Sequence, residues 1–176
     1  SRNLILSHAV GTGTPLPKEV VRAAMAVRAN TLTKGFSGVR PDIVNTLLEM
    51  LNKDVIPVIP SQGSLGSSGD LGPLSHLALV FTTDEMDIEF ESGFAEYQGK
   101  VLSGKIAMQS AGIPRIVLGA KEGLAINNGA TFSAAIGALC IHNSKILLNM
   151  AEISLAMSLE AMLGCTAAFD PRIHAA

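Results

Sequence analysis

A chain of 176 residues, 48% of them hydrophobic, is long enough to bury a core of its own, and with 4% aromatics and no Trp that core must be built from Ala, Leu, Ile, Val and Met. The 13 basic residues against 15 acidic ones leave a formal charge of −2, which excludes the electrostatic footprint of a nucleic-acid binder. Cys140 and Cys165 form no metal-binding or redox spacing, no signal peptide is visible, and Glu152 and Glu160 interrupt the most hydrophobic stretch, so the expectation is a reduced, cytoplasmic protein with no metal and no membrane partner.

In chain order, NLILSHAV (3–10) is an apolar run that ends near Ser7-His8 and meets GTGTP (11–15). Gly11-x-Gly13 begins like a dinucleotide fingerprint, but Leu16 stands in the third glycine's place and no strand–helix pattern follows, so that reading fails. On the residues alone His8 is a packed or capping histidine. Residues 18–34 read as a helix with Val20, Ala24 and Val27 on its apolar face, stopped by Gly35. Residues 41–52 read as a second, with Ile43, Val44, Leu47, Leu48 and Leu51 inward and Asp42, Asn45, Thr46 and Glu49 in water. VIPVIP (55–60) must be extended and delivers the chain stiffly into a glycine-rich stretch.

Further on, TTDEMDIEFES (82–92) is an acidic surface excursion, and FAEYQGKVL (94–102) alternates around Gln98-Gly99 as a short hairpin. Ser103 caps a helix to about residue 110, ended by Gly112 and Pro114. A long helix then spans about 129–164, apolar on nearly every side through Phe132, Ile136, Leu139, Ile146, Met150, Ile153 and Met157, with a thin polar stripe of Lys145, Asn149 and Glu152. A helix without a wet face has to be covered by other helices, more than this chain supplies, so association with other copies or with further chain is expected.

The stretch around which all of this is arranged is SQGSLGSSGDLGPLSH (61–76), with glycine at 63, 66, 69 and 72, Ser67 and Ser68 at its centre, and Asp70 after them. Glycines at that spacing permit positive φ and a chain folded tightly on itself. Asp70 as N-cap and Pro73 in a first turn predict a helix over 70–80, whose positive end faces Ser67-Ser68-Gly69 and suits negative charge. A phosphate cradle would need a lysine that is absent here, and a nucleophile elbow fails because Asp70 stands two places after Ser68. An ordinary Gly/Ser turn before a helix stays open on these residues alone.

The run GSLGSSGDLGPLSHLAL (63–79) closely resembles the signature of the aromatic amino acid ammonia-lyases, the histidine and phenylalanine ammonia-lyase family. The resemblance implies a mainly α fold, a long-helix bundle of the ammonia-lyase type with one small β-hairpin, assembled as a homotetramer with shared active sites. It also implies a prosthetic group, methylidene-imidazolone, made when an Ala-Ser-Gly tripeptide cyclises unaided. The matching residues are Ser67, Ser68 and Gly69: the nitrogen of 69 attacks the carbonyl carbon of 67, and Ser68 loses its hydroxyl as water. Only glycine at 69 allows that approach and only a β-hydroxyl at 68 can leave an exocyclic methylene. Ser67 replaces the usual alanine, and its side chain hangs outside the conjugated methylene.

SHAVGTG (7–13) matches the stretch whose Ser-His pair lines the family's substrate pocket; phenylalanine-specific members carry Phe-Leu there and tyrosine-specific ones His-Leu. Ser7 and His8 therefore imply L-histidine as substrate and trans-urocanate as product. EGLAINNG (122–129) resembles EGLALLNG, whose asparagine serves the prosthetic group and the substrate carboxylate region; alignment on the following glycine selects Asn128 rather than Asn127. On the residues alone Asn128 equally reads as the cap of a helix starting at Gly129. Asp70 is implied as a supporting residue, with the helix end beside it and Asn128 stabilising charge on the imidazolone oxygen. Arg40 and His76 receive no role. The family's general base, a tyrosine, has no match here, Tyr97 included, so the chain reads as an internal fragment that is inactive alone. Another aromatic lyase, an aminomutase or a non-catalytic helical assembly domain are the alternatives.

Overall fold

Helix α2 (Lys18–Thr33) forms where the sequence predicts it, but the face it buries is turned by about one residue. The computed structural model describes residues 2–66 and 68–175. Val21, Ala24, Met25, Arg28, Ala29 and Leu32 lie inward in an i, i+3, i+4 series, while Val20 and Val27 are half-buried. Helix α3 (Pro41–Asn52) packs against α2 through Ile43, Val44, Leu47 and Met50. Its face is turned too: Thr46, expected in water, is buried, and Leu48 is 43% exposed. In both helices the partner's surface, rather than the run of apolar letters, selects the central residue of the stripe.

The chain divides into two compact units, one ending at Gly137 and the other beginning at Ala138. At the centre of the first is α4 (Leu71–Phe81), the helix that the glycine-rich loop leads into. Leu74, Leu77, Ala78, Val80 and Phe81 are fully buried, and the larger of these contribute roughly 2 kcal/mol each. Against α4 pack α1 (Arg2–His8), α5 (Gly104–Ser110) and α6 (Glu122–Asn127). The fold is mainly helical, as expected.

The expected hairpin is present as β5 (Phe94–Tyr97) and β6 (Lys100–Ser103), joined through Gln98 (φ 49°) and Gly99 (φ 75°), the two positive-φ positions of a type I′ turn. Strand β2 (Ile56–Pro57) extends it to three strands, with Ile56 opposite Glu96 and Pro57 opposite Ala95. Two further ladders were not expected: β1 (Thr12–Pro15) with β3 (Pro60–Gln62), and β4 (Thr82–Thr83) in parallel with β7 (Ile116–Val117). Segments this short show no periodicity of their own. Ser103 does cap α5, its hydroxyl accepting the Ile106 N–H at 3.4 Å.

Helix α7 (Thr131–Ala161) is shorter at both ends than the sequence suggests. Its Thr131, Phe132 and Ala135 are buried in the first unit. In the second unit Ile146, Met150, Ile153 and Met157 are all exposed, and two 3₁₀ turns, Thr166–Phe169 and Pro171–His174, come after the helix. By length and composition alone Glu122–Ala161 is apolar enough to cross a membrane (mean hydropathy 1.5), Glu152 and Glu160 notwithstanding, a criterion that core helices also meet.

Candidate active site

Proline stiffness and glycine thinness together build the entrance to the loop. Strand β3 pairs antiparallel with β1, Thr12 opposite Gln62 and Pro15 opposite Pro60, so the chain just beyond Ser7-His8 runs beside the start of the loop. The backbones cross at glycines. An ideal Cβ on Gly63 would lie 3.1 Å from Gly11 Cα, and one on Gly72 would lie 2.8 Å from the Gly63 carbonyl oxygen, so three segments stack with no side chain between them. His76, on α4, secures this crossing: the Gly11 N–H donates to its Nε2 at 3.0 Å. That bond requires a lone pair on Nε2, and burial pushes the imidazole pKa down, which keeps the ring neutral.

Ser7, His8, Ser68 and Gly69 line one cavity of about 320 Å³, walled by Val10, Leu65 and Leu71. His8 Nδ1 lies 2.9 Å from the Leu4 carbonyl oxygen and 3.0 Å from Ser7 Oγ, and the Ser7 hydroxyl donates to the same carbonyl at 2.9 Å. A carbonyl cannot donate, so Nδ1 carries a proton and Nε2 is the ring nitrogen left free of these contacts. A larger cavity of about 600 Å³ borders Asp87, Lys105 and Arg115, but these groups are paired with one another and leave no reactive constellation there.

Gly69 sits at φ +124°. A Cβ there would lie 2.8 Å from Asn128 Oδ1 and 3.4 Å from the Gly129 nitrogen, so Asn128 is pressed against the residue the sequence pairs it with. Ser68 is exposed toward the cavity side of this contact; Ser67 lies outside the described residues.

Asp70 occupies the N-cap position of α4, as expected, but its side chain accepts no N–H of that helix. Its fully buried carboxylate reaches the other side of the loop, where Oδ2 accepts the Phe132 N–H at 2.7 Å and the Ser133 N–H at 3.2 Å. Oδ1 accepts the Ser64 and Ser133 hydroxyls. Asp70 thus serves as the N-terminal acceptor of α7, whose Phe132 N–H is buried and whose Ser133 N–H is part-buried. Asn128 does not cap that helix. It follows α6 in extended conformation, φ −103° and ψ 117°, and α7 starts only at Thr131. The Asp70 N–H donates to the Gly129 carbonyl at 2.9 Å, tying the loop to this break between two helices.

Arg28 holds the break and Glu122 the far end of α6, and neither was singled out from sequence. Arg28, 3% exposed, donates to the Asn128 carbonyl at 2.8 Å, to the Ala125 carbonyl, and to Thr131 Oγ1 at 3.4 Å. Its signal was available: an arginine on the apolar stripe of α2. Glu122, at the start of α6, accepts from Arg40 Nε at 2.9 Å, Arg40 Nη2 at 2.7 Å and the Arg40 backbone N–H at 3.1 Å. The hydrogen bonds from the Arg40 side chain pull the Glu122 carboxyl down to about 2. Arg40 is therefore a pairing arginine. Among the described residues no three His, Cys, Asp or Glu side chains cluster as metal ligands.

The aromatic amino acid lyase family model matches residues 1–176. The chain belongs to the aromatic amino acid lyase family. It is 53% identical over 173 residues to histidine ammonia-lyase of Alkaliphilus metalliredigens, covering 98% of this chain and 32% of that relative. Its backbone matches the crystal structure of histidine ammonia-lyase from Trypanosoma cruzi with a TM-score of 0.86 at 38% identity, over 98% of this chain and 32% of that one. Phenylalanine aminomutase of Pantoea agglomerans matches at 0.84 and 35% identity, again over 98% and 32%. The chain thus spans about a third of the length of the family members it matches, and the family's backbone is shared by lyases and an aminomutase alike.

Proposed function

We propose that the protein at its natural full length eliminates ammonia from L-histidine to give trans-urocanate. The observation that carries this reading is the single cavity bordered by Ser7 and His8 on one side and by Ser68 and Gly69 on the other. High identity to histidine ammonia-lyases supports it. The residues fit a methylidene-imidazolone made from Ser67-Ser68-Gly69: position 69 admits no Cβ, and an amide side chain already lies against it. Once formed, that group supplies an electrophilic carbon that converts the substrate's amine into a better leaving group.

The chain's own residues do the rest. His8, held through Nδ1 on the Leu4 carbonyl, orients the substrate's imidazole or carboxylate with its Nε2 edge. The Asn128 amide and the N-terminal end of α4 stabilise negative charge as it develops. Asp70 holds the loop against the break before α7, so that these groups are in place before substrate arrives. A base for the β-proton comes from outside residues 1–176, so this segment alone is inactive. The apolar residues exposed along 138–161 are covered in a homotetramer with shared active sites.

Intact mass tests the group, since cyclisation and dehydration together remove two waters from residues 67–69. Turnover of histidine, phenylalanine and tyrosine, with product identification, then separates a histidine lyase from an aminomutase. An unmodified mass or absence of urocanate overturns the reading. Light scattering of the full-length protein reads the oligomer directly.

A further inference from the structure

We propose that Arg28 is a positioning residue for this site: it sets the conformation of the 125–131 turn and thereby presents Asn128 to Gly69. Four observations converge on it. Arg28 is a cation almost wholly removed from water, and among the described residues it forms no ion pair. Burial alone lowers its pKa, with no carboxylate acting to restore it. A guanidinium in such a place is costly unless its donors are used; here the two Nη groups go to the Ala125 and Asn128 carbonyls, which end α6, and to the Thr131 hydroxyl, which begins α7, while the buried Nε has no partner among the described residues.

The geometry beyond it leads straight to the loop. A Cβ on Gly129 would lie 2.5 Å from Arg28 Nη1, and a Cβ on Gly69 would lie 3.4 Å from the Gly129 nitrogen. Only Gly129 therefore separates the guanidinium from the residue that Asn128 touches. Asn128 also links both ends of the arrangement, giving its carbonyl to Arg28 and its side-chain oxygen to the position beside Gly69. The planar fork of arginine can span two carbonyls and a hydroxyl at once, which a lysine cannot do.

The effect on turnover rests on the function proposed above; the effect on the turn does not. The test uses the full-length protein with Arg28→Met, Arg28→Lys, Asn128→Ala and the Met/Ala double variant. Arg28→Met is expected to lower kcat for L-histidine at least tenfold with KM changed less than threefold. In the Asn128→Ala background the same change should cost less than threefold, because its route of action is already gone. Arg28→Lys should fall between wild type and Arg28→Met. Amide exchange should accelerate over residues 128–133 and 69–70 in Arg28→Met and stay unchanged in the β5–β6 hairpin. Losses that multiply in the double variant, a kcat within threefold of wild type, or exchange that rises equally everywhere overturns the proposal.

If Arg28→Met does not fold, Arg28→Lys is compared in the two backgrounds: a loss of threefold or more that vanishes without Asn128 supports the role, and one that persists overturns it. If wild type keeps its unmodified mass, the prosthetic-group reading has failed, and Arg28 is judged on amide exchange alone by the same two outcomes.

Discussion

Helices α4 and α6 both end on the guanidinium of an arginine distant in sequence, yet the two arginines sit in opposite electrostatic surroundings. Arg115 donates to the Leu79 carbonyl at 2.9 Å and the Val80 carbonyl at 3.0 Å, and its remaining nitrogen is paired with Asp87. Arg28 closes α6 in the same manner and has only carbonyls and one hydroxyl around it. The acidic excursion after α4 thus carries the counter-charge that lets a buried arginine serve as a passive cap. The break between α6 and α7 carries no such neutraliser, and that is where the proposed chemistry develops negative charge. The anion on the other side of the break, Asp70, is spent on the N-terminus of α7 rather than on Arg28. Each charge faces the helix end of opposite sign, so both are held without cancelling each other.

The largest expected effect comes from removing the anion at that break. Asp70→Ala leaves the buried Phe132 N–H and the part-buried Ser133 N–H without their acceptor, and denaturant unfolding should show a loss of about 3–5 kcal/mol. The same variant is expected to keep its full unmodified mass. A loss below about 1 kcal/mol would mean that water reaches α7's first turn and that the break is not a dry site.

Next is the paired carboxylate at the start of α6. Glu122 is 3% exposed and its carboxyl is held at about 2, against an unfolded value near 4.5. Because the folded value is depressed, the stabilisation is fully present above about pH 4.5 and is lost as pH falls toward 2. It is on the order of 3 kcal/mol. Arg40→Met removes the largest cause of that depression but not the backbone N–H groups of Arg40 and Gly119, so it should lower stability at pH 7 and partly flatten the stability profile between about pH 4.5 and 2. Urea midpoints measured across that range for both proteins check this; parallel profiles would contradict it.

A smaller effect is expected at the contact between the loop and the break. Gly69→Ala places a methyl 2.8 Å from Asn128 Oδ1 at a positive φ, and strain of roughly 1–3 kcal/mol should appear as a lowered thermal midpoint. Adding Asn128→Ala should recover part of it. The smallest belongs to the excursion: Asp87, 40% exposed at its side chain, should cost no more than about 1 kcal/mol when replaced by alanine. Asp87→Ala also makes Arg115 resemble Arg28. Should that variant be as stable as wild type, the distinction between a neutralised and an unneutralised arginine cap has no energetic content.

Much of the site is legible in the sequence, because its chemistry is written in a short contiguous run. On the residues alone the loop stays an ordinary turn and His8 a packed histidine; it is the resemblance carried by runs 63–79 and 7–13 that singles out Ser68, Gly69, Ser7 and His8. What could not be read was who answers Asp70. A buried aspartate at the head of a helix looks like that helix's cap, and the residues that claim it instead are 62 and 63 positions away. The rotation of α2 has the same origin: the apolar letters pointed to Val20 and Val27, whereas packing places Val21, Met25 and Arg28 on the inward stripe.

Local rules, acting within one turn of chain, settled the extent of α3, the Gln98-Gly99 hairpin and the need for glycine at 69, since φ preference and hydrogen-bond reach span only a few residues. Tertiary structure alone decided that α7 takes its anion from Asp70, that α6 takes its cation from Arg28, and that His8 and Ser68 share a cavity. A buried charge must be answered by whatever group folding brings within hydrogen-bond distance, and no pattern of neighbouring letters encodes that distance.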